Sequence, residues 1–205
     1  MTAKSFIVEH LDDELGKWSE LEYLAITMEC HRAGARFCLS CLPTSLVLPD
    51  SLLNAPGLMV ENESIEIMYA DKKDCVCLLD PAAPKRLSPE DGDIFTTFLF
   101  GGILGDDPPR DRTSELRSKG YQGRNLGPLQ MTTDTAVRVT RIVILEKKRL
   151  DEIRYNDQPE IHVNKNEKII MPFRYVQDAE GNTIMPEGML ELIKKDSGKS
   201  LDDLF

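Results

Sequence analysis

"IFTTFLFGGILGDDPPRDRT", residues 94–113, decides how this chain is to be folded. Its first seven residues are rich in aromatic and β-branched side chains, and the run stops at Gly101-Gly102. A second run of the same kind, "CVCLLD" at 75–80, is closed by Pro81. Short apolar runs bounded by turn residues are the pattern of strands buried on both faces, as in a parallel sheet. Ligands of open α/β sheets collect outside the carboxyl ends of the strands. The loops at Asp80-Pro81 and Gly101-Gly102 are therefore site candidates from their position alone.

Toward the N-terminus, "SFIVEH" (5–10) predicts a strand and "GKWSELEYLAITMECHRAG" (16–34) a helix. Trp18, Leu21, Leu24, Ala25 and Met28 recur on that helix at three- and four-residue spacing as its expected inward face, and Gly34 ends it. "ARFCLSCL" (35–42) predicts a second strand, completing a βαβ unit with a parallel pair. From Pro43 to Asp74 the pattern is weak, with "SIEIMYA" (64–70) as a strand candidate. Downstream, "RDRTSELRSKG" (110–120) predicts a helix beginning near Asp111, "YQGRNLG" (121–127) a short strand, and "TTDTAVRVTRIVILEKK" (132–148) a long helix. Thr132 or Thr133 is the expected cap of that helix, with Asp134 complementing the dipole in its first turn. Ala136, Val139, Ile142, Val143 and Glu146 form its expected inward face, while Arg138 and Arg141 are placed on the solvated side. Beyond Leu150 the chain reads as short strands and turns with a terminal helix. The expected division is a principal unit at 1–149 and an extension at 150–205 packed on it.

The 205 residues suffice for a sizeable core without disulfides or metal. A formal net charge of −10 disfavours a broad grip on phosphate backbones and suits a basic partner. No apolar run is long enough to cross a bilayer, and the acidic N-terminal stretch lacks a signal-peptide core, so a cytoplasmic location is expected. The cysteines number five, an odd count that suits a reducing compartment. Cys38-x-x-Cys41 and Cys75-x-Cys77 lack the usual double-knuckle zinc spacing, and Cys75 and Cys77 are expected on one sheet face as small hydrophobes. No metal is expected.

"FGGILGDDPPRDRT" (100–113) lacks the Gly-Lys-Ser/Thr of a phosphate loop, and its acids stand where phosphate would need amides and a cation. It also fails the dinucleotide fingerprint, because aspartates and prolines follow Gly105. Two readings stay open. Either the glycines let a neutral or cationic ligand lie against bare backbone, with Asp106, Asp107 and Asp111 supplying negative potential and Pro108-Pro109 stiffness; or the segment is a strand-to-helix turn in which Asp111 caps the helix. "LGPLQMTTDTA" (126–136) is a third strand-end loop, and three such loops can clasp one small ligand. His10, His31 and His162 are scattered and build no catalytic triad.

These motifs carry a resemblance. "LLDP" (78–81), "FGGILGDDPPRDRT", "LGPLQMTTDTA" and "MPFRYVQDAEGNTIMPEGMLELIKKD" (171–196) resemble the fungal protein arginine methyltransferases of the SPOUT superfamily. The likeness runs nearly end to end, including "IVEHL" and "LEY"; residues 43–74 fall outside it. It implies an α/β fold whose parallel sheet ends in a C-terminal trefoil knot, followed by the extension of short strands and a terminal helix. It also implies S-adenosylmethionine as cofactor and monomethylation of an arginine in a basic small-subunit ribosomal protein, the third of that series. Matched position by position, the cofactor would lie against Leu79 and Asp80 in the first loop, Gly101, Gly102, Ile103, Leu104 and Gly105 in the second, and Leu126, Leu129, Gln130, Met131 and Thr133 in the third.

An arginine substrate is protonated at physiological pH, so a carboxylate must orient it and take a proton. Asp106 or Asp111, supported by Asp107, is the expected catalytic group, with Arg110 or Arg112 orienting the carboxylates; Glu9 and Glu20 are alternatives. Members of the same superfamily act on RNA, so an RNA methyltransferase, with Lys147, Lys148 and Arg149 as a basic patch, is a rival. A noncatalytic, ribosome-associated cofactor binder is another. The extension favours a monomer by covering the surface through which such enzymes commonly pair.

Overall fold

The structure, a computed structural model, describes residues 3–102, 113–162 and 168–202. In chain order it runs β1 (Ser5–His10), α1 (Lys17–Arg32), β2 (Arg36–Ser40), α2 (Asp50–Leu53), β3 (Leu58–Val60), α3 (Ile65–Met68), β4 (Val76–Leu79), α4 (Asp91–Ile94) and β5 (Thr97–Gly102). Then follow α5 (Ser114–Ser118), β6 (Gln122–Arg124), α6 (Thr133–Leu145), β7 (Tyr155–Asp157), β8 (Glu160–His162), β9 (Lys168–Ile170), β10 (Arg174–Val176) and α7 (Met189–Asp202).

Six strands form a sheet in the order β3-β2-β1-β5-β4-β6, and every adjacent pair is parallel. Side chains alternate across it. Phe6 and Val8, Phe37 and Leu39, Cys77 and Leu79, and Phe98 and Phe100 face one way, into a core completed by Tyr23, Ile26 and Cys30 of α1 and by Val139 and Val143 of α6. Phe6 and Phe98 sit opposite each other in register with ring centroids 5.7 Å apart. Ile7, Cys38, Val76, Leu78 and Leu99 face the other way, against Ile65, Leu116 and Tyr121. Burial on both faces is why β4 and β5 read as unbroken apolar runs.

Helix α1 ends in a Schellman turn: Gly34 has φ +67°, its N–H donates to His31 O at 3.1 Å, and Ala35 N–H donates to Cys30 O at 2.9 Å. The expected inward face of α1 is only partly right, with Leu24 on the main core. Ser19, Glu22, Tyr23, Ile26, Thr27 and Cys30 are buried, while Met28 is exposed. The helix is covered on two sides, and Trp18 and Leu21 pack instead on Ile161, Met171, Phe173, Tyr175, Met189 and Ile193 of the extension. A single-stripe reading cannot describe a helix with two partners.

Other expectations also fail. "SIEIMYA" holds the helical turn α3, and the strand of that region is β3, three residues on the sheet edge with Met59 and Val60 exposed. Cys75 ends a 3-10 turn ahead of β4 and packs on the opposite face from Cys77. Burial pushes the thiols of Cys38 and Cys77 up to about 12. Glu146 closes α6 in solvent rather than facing inward, and Arg138 is buried rather than solvated. The extension forms two antiparallel pairs, β7 with β10 and β8 with β9, and then α7.

Gly123 of β6 has no room for a side chain, since a Cβ there would meet Ala83 Cβ at 2.9 Å. Gly123→Ala is therefore expected to cost about 1–3 kcal/mol, the usual price of overpacking. Urea unfolding, read as a lower midpoint at unchanged slope, checks it.

Candidate active site

The carboxyl ends of β4, β5 and β6 lie side by side, and the chain returns past them before entering α6. A cavity of about 300 Å³ opens there. Its walls are Leu79, Asp80 and Pro81 from the first loop, Phe100 and Gly101 from β5, Thr113, the stretch Leu126, Gly127, Pro128, Leu129, Gln130 and Met131, and Thr133 and Ala136 of α6.

Eight residues expected from the sequence are thus brought together: Leu79, Asp80, Gly101, Leu126, Leu129, Gln130, Met131 and Thr133. Gly102 ends β5 in register with His10. Ile103, Leu104, Gly105, Asp106, Asp107, Arg110, Asp111 and Arg112 lie outside the described residues. The sequence reading missed Pro81, Phe100, Thr113, Gly127, Pro128 and Ala136 as cavity residues. Most of them adjoin motif positions in the chain, whereas Phe100 and Ala136 were absorbed into the core faces of β5 and α6.

The first and third loops are held from behind. Asp80, 2% exposed, accepts from Arg117 Nε at 2.6 Å and Nη2 at 2.8 Å, from Thr113 Oγ1 at 2.9 Å and from Ala82 N–H at 3.0 Å. Its carboxylate is thus engaged within the protein, and this ion pair locks the first loop to the start of α5. Burial pushes the Asp80 carboxyl up, but the bonds from Arg117, Ala82 and Thr113 together with the Arg117 charge outweigh it and leave it below the usual carboxylate value. Asn125 Nδ2 donates to Ala83 O at 2.8 Å while its Oδ1 accepts from Gly127 N–H at 3.0 Å, tying the third loop to the first. Gly127 has φ +110°, a conformation that admits glycine readily. From the extension, Arg174 N–H donates to Gln130 O at 2.8 Å.

At the start of α6, Thr132 occupies the N-cap position, but its hydroxyl turns to Asp134 Oδ1 at 2.7 Å instead of capping the backbone. Asp134 Oδ2 meets Arg138 Nη1 at 3.1 Å, and Arg138 reaches Glu29 Oε1 with Nη2 at 2.6 Å. This buried network corrects the solvated placement of Arg138.

Of the alternative carboxylates, Glu9 stands at the end of β1 in register with Gly101, is 4% exposed, and accepts from Ile65 N–H at 2.7 Å. Burial raises its carboxyl above the usual value. Glu20 lies away from the cavity lining, paired with Lys17 at 2.9 Å and Ser51 at 2.6 Å. His10 is buried, with Nδ1 3.0 Å from the Tyr23 hydroxyl, and His162 lies exposed in β8.

A parallel sheet with a largely apolar cavity at the carboxyl ends of adjacent strands is the architecture of a cofactor-binding α/β enzyme of the SPOUT type. The chain belongs to the family described as Protein arginine N-methyltransferase SFM1-like, whose model matches residues 5–200. Protein arginine N-methyltransferase SFM1 of Saccharomyces cerevisiae is 46% identical over 98% of this chain and 99% of its own. The crystal structure of that yeast arginine methyltransferase complexed with SAM superposes with TM-score 0.88 at 44% identity, covering 97% of this chain and 93% of the other. Further structures of the yeast enzyme are complexed with SAH and with MTA. The dual specific Trm10 of Thermococcus kodakaraensis shares the fold at TM-score 0.53 and 19% identity, over 74% of this chain and 96% of that one.

Because the Asp80 carboxyl is depressed, its contribution to stability is present above the ordinary carboxylate value and is lost as pH falls through the lower folded value. Arg117→Met leaves Asp80 buried without its cation. It is expected to cost about 1–3 kcal/mol at neutral pH, below the figure for a fully buried pair because Arg117 is partly solvated. The wild type and variant should begin to converge only as pH falls below about 4, toward the lower folded value. Thermal melts of both proteins across that range check the prediction.

Proposed function

We propose that this protein transfers a methyl group from S-adenosylmethionine to an arginine of a basic protein, and that the product is monomethylarginine on the third protein of the small ribosomal subunit. The observation that carries the reading is the meeting of the Asp80-Pro81 loop, the end of β5 and the Leu126–Met131 stretch on one cavity in a chain of this family. The cavity fits the cofactor. Its volume of about 300 Å³ lies at the lower end of small-molecule pockets. Leu79, Phe100, Leu126, Leu129, Met131 and Ala136 provide apolar wall for an adenine ring, and Thr113, Gln130 and Thr133 place polar groups among them.

S-adenosylmethionine supplies an electrophilic methyl group on a sulfonium. The remaining work falls to the chain: to hold donor and acceptor in line, to exclude water, and to manage the charge of the incoming guanidinium. Gly101, without a side chain, lets a ligand approach the backbone at the end of β5. Asp106 or Asp111, with Asp107 beside them in sequence, is assigned to grip the guanidinium and to accept on a carboxylate oxygen the proton its nitrogen loses. The Ile103–Gly105 stretch is assigned to the cofactor, and Arg110 or Arg112 to orienting the carboxylates. Glu9 is the described carboxylate that shares a register position with the end of β5, and it remains the alternative acid.

The net charge of −10 supports a basic protein substrate over RNA, since it draws cationic chains toward the surface and repels phosphate. A cytoplasmic monomer completes the proposal, as does the trefoil knot implied by the family. Among the described residues no helix is long and apolar enough to cross a membrane.

Incubation of the protein with labelled S-adenosylmethionine and separated small-subunit proteins and RNA tests the reading. Label on one arginine of one ribosomal protein, with the mass of a single methyl group, is expected; label in RNA would overturn the protein-substrate assignment. Asp106→Asn should lower turnover by about 10²–10⁴-fold, the usual contribution of a positioned acid–base group. Its affinity for S-adenosylhomocysteine should be unchanged by calorimetry. Wild-type turnover in this variant would move the role to Asp111 or Glu9.

A further inference from the structure

Behind the cavity, the seam between α1 and α6 buries more acid than base. Glu22 of α1 is fully buried, and neither of its carboxylate oxygens has a hydrogen-bond partner of good geometry. Glu29 of α1 and Asp134, Arg138 and Arg141 of α6 share the seam, with Tyr175 of β10 near Asp134 and Glu22 and Tyr23 of α1 near Glu22.

Arg138 is committed, with Nη1 on Asp134 and Nη2 on Glu29, while Arg141 is shared between Glu29 Oε2 at 3.5 Å and Glu146 Oε1 at 3.2 Å and its buried Nε has no partner among the described residues. Four carboxylates, Glu22, Glu29, Asp134 and Glu146, thus stand against two guanidinium groups, and Glu22 is the one that pairs with neither arginine. A buried charge without a partner is strongly disfavoured, so burial favours the protonated form of Glu22. Burial pushes its carboxyl well above the usual value, and the charge of Asp134 adds to the rise.

Asp134 sits in the first turn of α6, bonded to Thr132, between Thr133 and Ala136 of the cavity wall. We propose that Glu22 is a positioning residue of the ligand cavity: its neutral carboxyl closes the seam against Asp134, and so holds the first turn of α6 where Met131, Thr133 and Ala136 form the wall. An ionised Glu22 would set a second negative charge against Asp134, outside the ion pairs of Arg138 and Arg141. The inference rests on the methyltransferase reading only for the identity of the ligand.

The pH dependence has a defined sign. The folded protein keeps a proton on Glu22 that the unfolded chain has released, so stability declines as pH rises from the ordinary carboxylate value to the raised folded one, and is flat beyond it. Glu22→Gln is neutral at every pH and nearly the same shape. Glu22→Ala is also neutral but leaves a hole in the seam.

The test measures thermal midpoint, affinity for S-adenosylhomocysteine, and hydrogen exchange of residues 131–136 corrected for its intrinsic pH dependence, from about pH 5 to 9. For the wild type, midpoint, affinity and protection of 131–136 should all decline with pH relative to Glu22→Gln. At the alkaline end the Gln variant should bind several-fold more tightly. Glu22→Ala should be weak and poorly protected throughout, so that Gln rescues what Ala loses. Parallel pH profiles for wild type and Gln would overturn the proposal. A midpoint difference without a change in protection of 131–136 would also overturn it, by reducing Glu22 to a structural role. Failure of wild-type protein to bind S-adenosylhomocysteine at any pH would count against the methyltransferase reading, while the exchange data still decide the role of Glu22.

Discussion

Parallel pairing of β1, β5 and β4 at the centre of the sheet is the constraint on which everything else depends. Strands that run the same way deliver their carboxyl ends to one edge, and every connection between them must cross a face of the sheet. Both faces are therefore covered, and the loops that leave the carboxyl edge are free of packing duty. With β5 inserted between β1 and β4, and with β6 beyond β4, the carboxyl ends of β5, β4 and β6 are forced next to one another. The cavity is a consequence of strand order.

What keeps that cavity in shape is a set of bonds from groups that do not face the ligand space. Arg117 holds Asp80 from α5, Asn125 joins the third loop to Ala83, and the backbone of Arg174 in the extension carries Gln130. Arg174 is itself fixed by Asp157 at 2.6 Å and lies over the Tyr155 ring. The extension thus buttresses the site through a backbone bond, while its apolar cluster grips Trp18 and Leu21 of α1. Loops that lack a core of their own gain order in this way from the elements around them.

The buried ionic seam shows the other side of the same economy. Arg138, Asp134 and Glu29 are brought from helices far apart in sequence, and each is desolvated only because the others are present. Charged residues on an amphipathic helix are ordinarily solvated, so the pattern of α6 alone points Arg138 outward. The partner that reverses this, Glu29, sits on α1, and local periodicity contains no term for it.

Apolar runs ended by Asp80-Pro81 and Gly101-Gly102 sufficed to place β4, β5 and a site at their carboxyl ends, because burial on both faces and turn chemistry are written locally. The long motifs carried the family and eight of the cavity residues for the same reason: strand-end loop residues are set by type and order along the chain. Strand order, the two-sided burial of α1, the 3-10 turn that puts Cys75 and Cys77 on opposite faces, and the coupling of Glu22 to Asp134 were decided by tertiary structure alone. Each depends on contacts between segments tens of residues apart, where the energy of a side chain is fixed by what packs against it rather than by its neighbours in sequence.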